Sequence, residues 1–251
     1  PKSTFISAVQ QVHTVKPGIT IMPYYFAQGW DMGIASGPYA FTSALISRMC
    51  QDPVGVPKSA YFSGTGSSFA YMDFFQSENR NFELSILPTL LNYGADGVYY
   101  DYFSGLPAEL CYNDSFSSGH PSNGGSYWTQ GKKQVFADIR QQGKMIAPDF
   151  VSTSESLDEF LIPELDMMNY YPSFGFDFGV SHPIPVWSAV YHDYILSSSF
   201  RLGPFMFPNI TENVGDLEFI TFEFISGKIL NHMNWGADSP YFSGTSPISP
   251  A

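Results

Sequence analysis

The sequence predicts an α/β protein, a (β/α)8 barrel of the TIM type that lacks its first strand in this chain. Strand-like and helix-like stretches alternate along the 251 residues, which is typical of βα units around a parallel sheet. A chain of this length suits one such barrel and is too short for two large domains. About seven strand-like stretches are present, whereas a closed barrel needs eight. We therefore expect the first strand to be the missing one.

The first half of the chain supplies two predicted helices and two predicted strands. A helix over 3–16 precedes an apolar, β-rich run over 19–26, and a second strand is predicted over 68–74. The segment between these strands, about 31–67, is rich in Gly, Pro and Ser, and a long irregular loop in a compact domain is often functional. A helix over 79–93 follows, because apolar residues recur at helical spacing. Its apolar face carries Phe82, Ile86, Leu87, Leu90 and Leu91.

The second half of the chain continues the same alternation. Strands are predicted over 97–101, 144–151, 165–170, 185–191 and 229–233, and helical segments over 127–143, 158–162 and near 212–227. The helix over 127–143 has an apolar face formed by Trp128, Val135, Phe136 and Ile139. We assign 1–235 to the barrel. The tail 236–251 is rich in Pro, Ser and Gly, which is typical of a linker or of the start of a further module.

Composition and charge exclude several classes of protein. The formal net charge is −12, and the 11 Lys and Arg residues form no basic run, so nucleic acid is not an expected partner. No stretch approaches ~18 consecutive apolar residues, so membrane insertion is not expected. The five histidines include no pair at i, i+4 spacing beside an acid, and we expect no metal and no cofactor. Motifs typical of esterases and of nucleotide-binding loops do not occur.

Several features favour a secreted or extracellular glycoprotein. Only 14% of residues are charged, whereas 17% are aromatic. Aromatic rings pack in cores, but they also stack on the apolar faces of sugars, so carbohydrate is an expected partner. Two N-glycosylation sequons begin at Asn113 and Asn209, and we expect Asn113 to be exposed in a polar loop. The two cysteines, Cys50 and Cys111, form either one bridge or two unrelated buried thiols.

Two carboxylates at strand ends are the candidate catalytic residues. In a (β/α)8 barrel the active site lies where the strands end. Asp101 directly follows an apolar predicted strand, and Glu155 lies just past the next one. Two carboxylates on one sugar ring are the general requirement for glycoside hydrolysis. The alternatives are a helix-capping or loop-bracing role for Asp101 and a capping box between Ser152 and Glu155.

Further polar and aromatic residues are candidates for binding a sugar. Glu159 would share a helical face with Glu155, and it either binds substrate, raises the pKa of Glu155 through like charge, or is a solvated carboxylate. His120 lies in a loop of polar and turn residues that follows Asp101. The remaining candidates lie at or near predicted strand ends and loops: Trp30, Asp31, Asp73, Tyr127, Trp128, Asp166, Tyr170, Trp187, Tyr191 and Asp193.

Several motifs together resemble a largely uncharacterised family of glycoside-hydrolase-like barrels, a domain-of-unknown-function family. They are Gly-Ala-Asp-Gly-Val-Tyr-Tyr-Asp ending at Asp101, Cys-Tyr-Asn-Asp from Cys111, Gly-His-Pro around His120, Gly-Gly-Ser-Tyr-Trp ending at Trp128, Ser-Thr-Ser-Glu ending at Glu155 with Glu159, and Val-Tyr-His-Asp-Tyr around His192. The resemblance covers roughly residues 68–203. The family often has Gly-His-Gly-His-Pro where this chain has Ser-Ser-Gly-His-Pro, and Thr-Thr-Glu where it has Ser-Thr-Ser-Glu.

The resemblance implies a function. The family is distantly similar to retaining α-glycosidase barrels, such as the α-amylase type and the endo-α-N-acetylgalactosaminidases, which carry an Asp nucleophile after the fourth strand and a Glu acid/base after the fifth. It implies that Asp101 is the nucleophile and Glu155 the acid/base, with Asp166 or Asp193 stabilising positive charge. The alternative is a catalytically inactive barrel that binds glycans or serves as an extracellular structural subunit, with further modules or subunits as partners.

Overall fold

The computed structural model describes residues 2–62, 66–101, 110–113, 127–155, 157–170, 186–202 and 229–233. The chain divides into two compact units, Pro1–Asp166 and Met167–Ala251. In the first unit the helical elements are α1 (Lys2–Val15), α2 (Ser43–Ile46), α3 (Ser77–Asn92), α4 (Tyr127–Ile146) and a 3-10 helix (Glu159–Glu164), and the strands are β1 (Tyr24–Tyr25), β2 (Gly29–Asp31), β3 (Ser59–Phe62), β4 (Ser67–Tyr71), β5 (Gly97–Tyr100) and β6 (Val151–Glu155). The second unit contains β7 (Met167–Tyr170), α5 (Val186–Tyr191), β8 (Leu196–Leu202) and β9 (Ile229–Met233).

Each unit contains a set of parallel strands, which confirms the predicted α/β class. In the first unit β5 pairs with β1 on one side and with β6 on the other. In the second unit β8 pairs with β7 and with β9. All four residues of β5 are buried, as expected for a strand of a parallel sheet that is covered on both faces. Gly97 is required at its start, because a Cβ atom there would collide with the Val151 carbonyl.

The segment predicted as the second barrel strand, 68–74, forms a different structure. Its residues contribute to β4, which pairs antiparallel with β2 and β3 in a separate three-stranded sheet. The region 31–67, predicted to be irregular, supplies β3 and α2 to the first unit. The strand itself is confirmed as β4. Its predicted place among the barrel strands was wrong, because alternating apolar residues identify a strand but do not reveal its partner.

Helices α3 and α4 cover the parallel strands of the first unit. The predicted apolar face of α4 is confirmed, because Trp128, Val135, Phe136 and Ile139 are all buried. The rings of Phe136 and Tyr100 pack edge to face, with centroids 5.4 Å apart. Arg80 links the two helices through Asp138 at 3.1 Å. No helix in the described part of the chain is long and apolar enough to cross a membrane.

Two predicted strands are partly or wholly helical. Helix α4 continues to Ile146 and β6 starts only at Val151, so the predicted strand over 144–151 is displaced toward the C-terminus. Within the predicted strand over 185–191, Val186–Tyr191 forms the short helix α5, and the serine-rich β8 was not predicted. Short apolar runs do not distinguish a strand from a helix by periodicity. The predicted helix near 212–227 lies outside the described residues.

The two cysteines are neither bridged nor unrelated. Cys50 and Cys111 are both buried free thiols, and they belong to one cluster with Tyr71 and Trp128. The backbone N–H of Tyr112 donates to the Gln51 carbonyl at 2.9 Å, which holds the two cysteine-bearing segments side by side. The thiols therefore act as small apolar side chains in this cluster.

Asp166 ties α4 to the end of the 3-10 helix and to β6. Its carboxylate lies 3.2 Å from Arg140 and 3.3 Å from Lys144 and accepts a hydrogen bond from the Ser152 N–H at 3.0 Å. Burial alone would raise the pKa of Asp166, but the Ser152 hydrogen bond and the two cations hold that pKa below its usual range. The ionised carboxylate therefore stabilises the folded state.

We predict that Asp166→Asn destabilises the protein by about 2 kcal/mol at pH 7, since it removes charge-assisted hydrogen bonds. A carboxylate whose folded pKa is depressed contributes stability above its unfolded pKa of about 4, and this contribution is lost as pH falls through the folded value. Urea unfolding should therefore separate the variant from the wild type at pH 7 and much less at pH 3. Asp149→Asn, at an exposed position, is the matched control. An equal difference at both pH values would contradict this account.

Candidate active site

The two candidate catalytic carboxylates lie side by side at the ends of neighbouring strands. The register pairs Tyr99 with Thr153 and Tyr100 with Ser154, so the next step along both strands places Asp101 beside Glu155. Side chains alternate between the two faces of a sheet, so both carboxylates point to the face that carries Tyr99 and Thr153. Neighbouring strands are about 4.8 Å apart. The structure therefore confirms that Asp101 follows a buried strand and brings the two residues together.

Both carboxylates are largely removed from solvent. Asp101 is 6% exposed and Glu155 is 4% exposed. The backbone N–H of Asp101 donates to the Tyr25 carbonyl at 2.9 Å, which fixes Asp101 against β1 as well as β5. The Oδ1 atom of Asp101 is buried and accepts no hydrogen bond within the described residues. A buried carboxylate oxygen with no partner is costly for stability, and such a cost is typical of a functional group.

Tyr24 completes this group, and the search for carboxylates in the sequence missed it. Its hydroxyl donates a hydrogen bond to Asp101. The pKa of Tyr24 is raised well above its usual value, first by burial, then by this hydrogen bond and by the charges of Asp101 and Glu155. The hydroxyl is therefore bonded to Asp101 and lies within the electrostatic influence of Glu155. The available signal was the position of Tyr24 near the end of a predicted strand, where barrel sites form.

The tyrosine ring also has a fixed orientation. Tyr24 stacks on Tyr99, its register partner in β5, with ring centroids 5.4 Å apart and an interplanar angle of 16°. The Tyr24 side chain is on the same face as the carboxylates, and the residue is 52% exposed. A molecule that reaches Asp101 can therefore contact this ring. The arrangement offers a nucleophile or base, a second carboxyl for proton transfer, and a hydrogen-bond donor to Asp101.

The Ser152–Glu155 capping box and the shared helical face of Glu155 and Glu159 are both wrong. Ser152 and Glu155 lie within β6, and the backbone and hydroxyl of Ser152 bond to Asp166 instead. Glu159 begins the 3-10 helix and is exposed. The strand starts later than predicted, so the residues around Glu155 are extended and cannot share a helical face.

Asp166 and Asp73 are engaged in structural contacts. Asp166 interacts with Ser152, whose side chain alternates to the opposite face from Glu155, so Asp166 does not join the carboxylate pair. Asp73 is buried and braces the start of α3, where its carboxylate accepts from the Phe75 N–H at 3.0 Å and from the Gln76 side chain at 2.9 Å. Local carboxylate bonds of this kind are typical of turns that precede helices.

Three predicted aromatic and acidic residues lie in other parts of the first unit. Trp128 is buried in the cluster around the two cysteines. Trp30 and Asp31 line a separate cavity between β1, the antiparallel sheet and α3, whose lining includes neither Asp101 nor Glu155. The Trp30 indole N–H donates to the Tyr39 carbonyl at 2.9 Å, and Asp31 accepts from the Gly33 N–H at 2.8 Å.

The remaining predicted residues belong to the second unit or lie outside the described residues. In the second unit, Trp187 and Tyr191 are neighbours on α5 with ring centroids 4.6 Å apart, and Asp193 is exposed beside His192 at 3.3 Å. Only the backbone of Tyr170, in β7, and of Tyr127, at the start of α4, is described. His120 and Asn209 lie outside the described residues.

The prediction that Asn113 is exposed is wrong. Asn113 is fully buried, and its side-chain amide donates to the carbonyls of Ser47 at 2.6 Å and Met49 at 2.9 Å. These bonds attach the segment 110–113 to the turn that follows α2. The polar composition of the surrounding sequence indicated a loop, but a loop can still bury one amide that satisfies backbone groups.

The described part of the chain holds no group of three or more His, Cys, Asp or Glu side chains arranged to bind a metal ion. The candidate site consists of Asp101, Glu155 and Tyr24 together with the ring of Tyr99.

Solved structures of glycosidases share this fold. NagBb, an α-N-acetylgalactosaminidase from Bifidobacterium bifidum, aligns with a TM-score of 0.65 at 14% identity over 92% of this chain and 34% of that chain. The maltogenic α-amylase AmyB from Thermotoga neapolitana aligns with a TM-score of 0.58 at 12% identity over 92% of this chain and 49% of that chain. Ega3 from Aspergillus fumigatus, in complex with galactosamine, aligns with a TM-score of 0.53 at 12% identity over 93% of this chain and 79% of that chain.

These alignments show a glycosidase-like α/β fold. The chain spans about a third of the length of NagBb, so the alignment does not cover most of that enzyme. Curated protein sequences gave no significant match. The family model described as a domain of unknown function, DUF6259, matches residues 1–201. That match covers most of the chain, and the protein therefore belongs to the DUF6259 family.

Proposed function

We propose that this protein is a glycoside hydrolase, specifically a retaining α-glycosidase that acts on extracellular glycans. The observation that carries the proposal is the pair of buried carboxylates, Asp101 and Glu155, at the ends of adjacent parallel strands. A retaining mechanism needs two carboxyl groups about 5–5.5 Å apart. Adjacent positions on neighbouring strands, about 4.8 Å apart, suit that separation better than the roughly 6.5–9.5 Å of an inverting enzyme.

The two carboxylates have different roles in the proposed reaction. Asp101 attacks the anomeric carbon through a carboxylate oxygen, and the bond to the leaving oxygen breaks as Glu155 donates its proton to that oxygen. The product of this step is a glycosyl ester on Asp101. Glu155, now ionised, removes a proton from water, which attacks the anomeric carbon, releases the sugar and restores both carboxyl groups. No cofactor takes part.

Tyr24 is proposed to position the nucleophile. Its hydroxyl occupies one lone pair of the Asp101 carboxylate, while Oδ1 remains without a partner in the described residues. Fixing one oxygen by a hydrogen bond orients the carboxylate for attack, and orientation of this kind contributes substantially to rate. The rings of Tyr24 and Tyr99 provide an aromatic surface beside the reacting atoms.

The comparisons support the substrate class and the architecture. NagBb and AmyB are named as enzymes that act on α-linked sugars, and this chain shares their fold. We propose that its parallel strands form part of a (β/α)8 barrel. The structure describes three parallel strands in each unit. A barrel of eight strands would therefore need two strands beyond these six, whereas the sequence predicts only one missing strand. Secretion, and further modules or subunits, are also part of this proposal.

We predict that Asp101→Asn lowers kcat on an α-linked aryl glycoside by about 10³-fold or more, because the amide cannot act as a nucleophile. Glu155→Gln should lower activity on substrates with poor leaving groups much more than on activated aryl glycosides, because activated leaving groups need little protonation. The measurement is steady-state kinetics with leaving groups of graded basicity.

Two exposed positions provide matched controls. Asp149→Asn and Glu78→Gln make the same chemical changes at exposed sites, and they should retain wild-type rates. Wild-type activity in Asp101→Asn would contradict the assignment of the nucleophile. No activity of the wild-type protein on a broad panel of α-glycosides would contradict the proposed function and favour a glycan-binding or structural barrel.

We predict that Tyr24→Phe lowers kcat by about 10- to 100-fold with little change in KM, because it removes one hydrogen bond to a charged group. Tyr61→Phe, at an exposed position of β3, is the matched control and should behave as the wild type. A rise in KM with an unchanged kcat would show that Tyr24 contributes uniform binding, and would contradict a positioning role.

A further inference from the structure

A cavity in the first unit, apart from the Asp101–Glu155 pair, has the size of a ligand site. It occupies about 650 Å³ between β1, the antiparallel sheet and α3, within the usual range of about 300–1,000 Å³ for small-molecule sites. We refer to it as the α3 pocket. Its lining residues are mostly aromatic or aliphatic, with a few polar groups. The aromatic members are Tyr25, Phe26, Trp30, Tyr39, Phe69 and Phe82.

A buried carboxyl group without a cationic partner lies in the wall of this pocket. Glu83 is 1% exposed, and neither of its side-chain oxygens makes a hydrogen bond of standard geometry within the described residues. Burial raises the pKa of Glu83 to about 8, and a looser hydrogen-bonding contact with the Tyr25 hydroxyl opposes that rise. A carboxyl group buried in this way costs stability, and the α3 helix would be more stable with an apolar residue here.

The electrostatic surroundings of Glu83 are anionic and aromatic. Asp31 supplies a second carboxyl to the lining, which contains no Lys and no Arg. The other titratable groups that face Glu83 are the hydroxyls of Tyr25 and Tyr100, from β1 and β5. Arg80, one turn earlier on α3, is bound to Asp138 and to the carbonyls of Phe74 and Phe75. No cation of the described lining therefore neutralises Glu83.

Aromatic rings stand at an angle to one another in the same wall. The Trp30 ring lies 5.2 Å from Phe82 with an interplanar angle of 49°, and 6.4 Å from Tyr39 with an angle of 50°. Faces of aromatic rings attract cations, and tilted rings around one space are a typical arrangement for quaternary ammonium groups. The pocket thus combines ring faces with two carboxyl groups.

We propose that the α3 pocket binds an organic ammonium ion, a cationic nitrogen carried on an apolar ring or chain. An anionic ligand would be repelled by Asp31 and would leave Glu83 without a cationic partner. A neutral apolar ligand would fill the cavity but would also supply no positive charge to the buried carboxyl group. An ammonium group provides the missing positive charge, and its apolar substituent fits against Trp30 and Phe82. This site is separate from the Asp101–Glu155 pair and does not depend on the proposed glycosidase activity.

The proposal requires binding to depend on pH. Without ligand, Glu83 holds its proton below about pH 8, so a cation that pairs with the ionised carboxylate must displace that proton. The affinity should therefore rise as pH increases from 6 to 8 and level off above this range.

Benzyltrimethylammonium is a suitable probe, because its charge does not change with pH, and benzyl alcohol is a neutral aromatic comparison. Binding of each to the full chain can be followed by calorimetry and by tryptophan fluorescence, to which Trp30 contributes together with the three other tryptophans. We expect benzyltrimethylammonium to bind at least 10-fold more tightly than benzyl alcohol at pH 8, and its affinity to fall at least 5-fold at pH 6. Equal affinity for the two probes, or no binding of the cation, would overturn the proposal.

The variant Glu83→Gln isolates the role of the carboxyl group. It should fold at least as well as the wild type above neutral pH, because it removes a buried group that ionises unfavourably, and circular dichroism checks this. We expect it to lose the preference for the cation and the pH dependence together. Glu78→Gln, an exposed change on the same helix, should keep both. Wild-type cation binding by Glu83→Gln would overturn the assignment of the site.

Discussion

Gly97 stands opposite Val151 at the start of the pairing between β5 and β6, and any side chain at Gly97 would collide with the Val151 carbonyl. The close approach of these two strands fixes their register, and the register in turn fixes which residues end side by side. Because β5 and β6 are parallel, their final residues meet at one edge. The position of Asp101 beside Glu155 is thus a consequence of backbone pairing that begins four residues earlier.

The two faces of the β5–β6 strand pair differ in how well their side chains are packed and hydrogen-bonded. The face with Tyr99 and Thr153 leads to Asp101 and Glu155, where burial and a missing hydrogen-bond partner at Asp101 reduce stability. On the opposite face Tyr100 packs on Phe136, and Ser152 bonds to Asp166. Packing on one face offsets the free-energy cost of burying the Asp101 carboxylate on the other face. Such a compromise is usual at functional sites.

Much of the parallel part of the fold could be predicted from the sequence. The contacts between segments that are distant in sequence could not. The buried run before Asp101 and the periodic faces of α4 are local signals, and both are confirmed. The antiparallel sheet, the burial of Asn113 and the contact of Tyr24 with Asp101 depend on residues far apart in sequence, which no local pattern encodes. The short helix α5 was mistaken for a strand because Val-Trp-Ser-Ala-Val-Tyr suits either structure.

The central claim is that Asp101 is the nucleophile in a carboxylate pair with Glu155. The most direct measurement is mass spectrometry of peptides after the protein reacts with a panel of 5-fluoro-α-glycosyl fluorides, whose glycosyl esters on an enzyme hydrolyse slowly. The account predicts one added sugar on the peptide that contains Asp101, and accumulation of the same ester in Glu155→Gln. A sugar attached to another residue, or no adduct with any member of the panel, would contradict it.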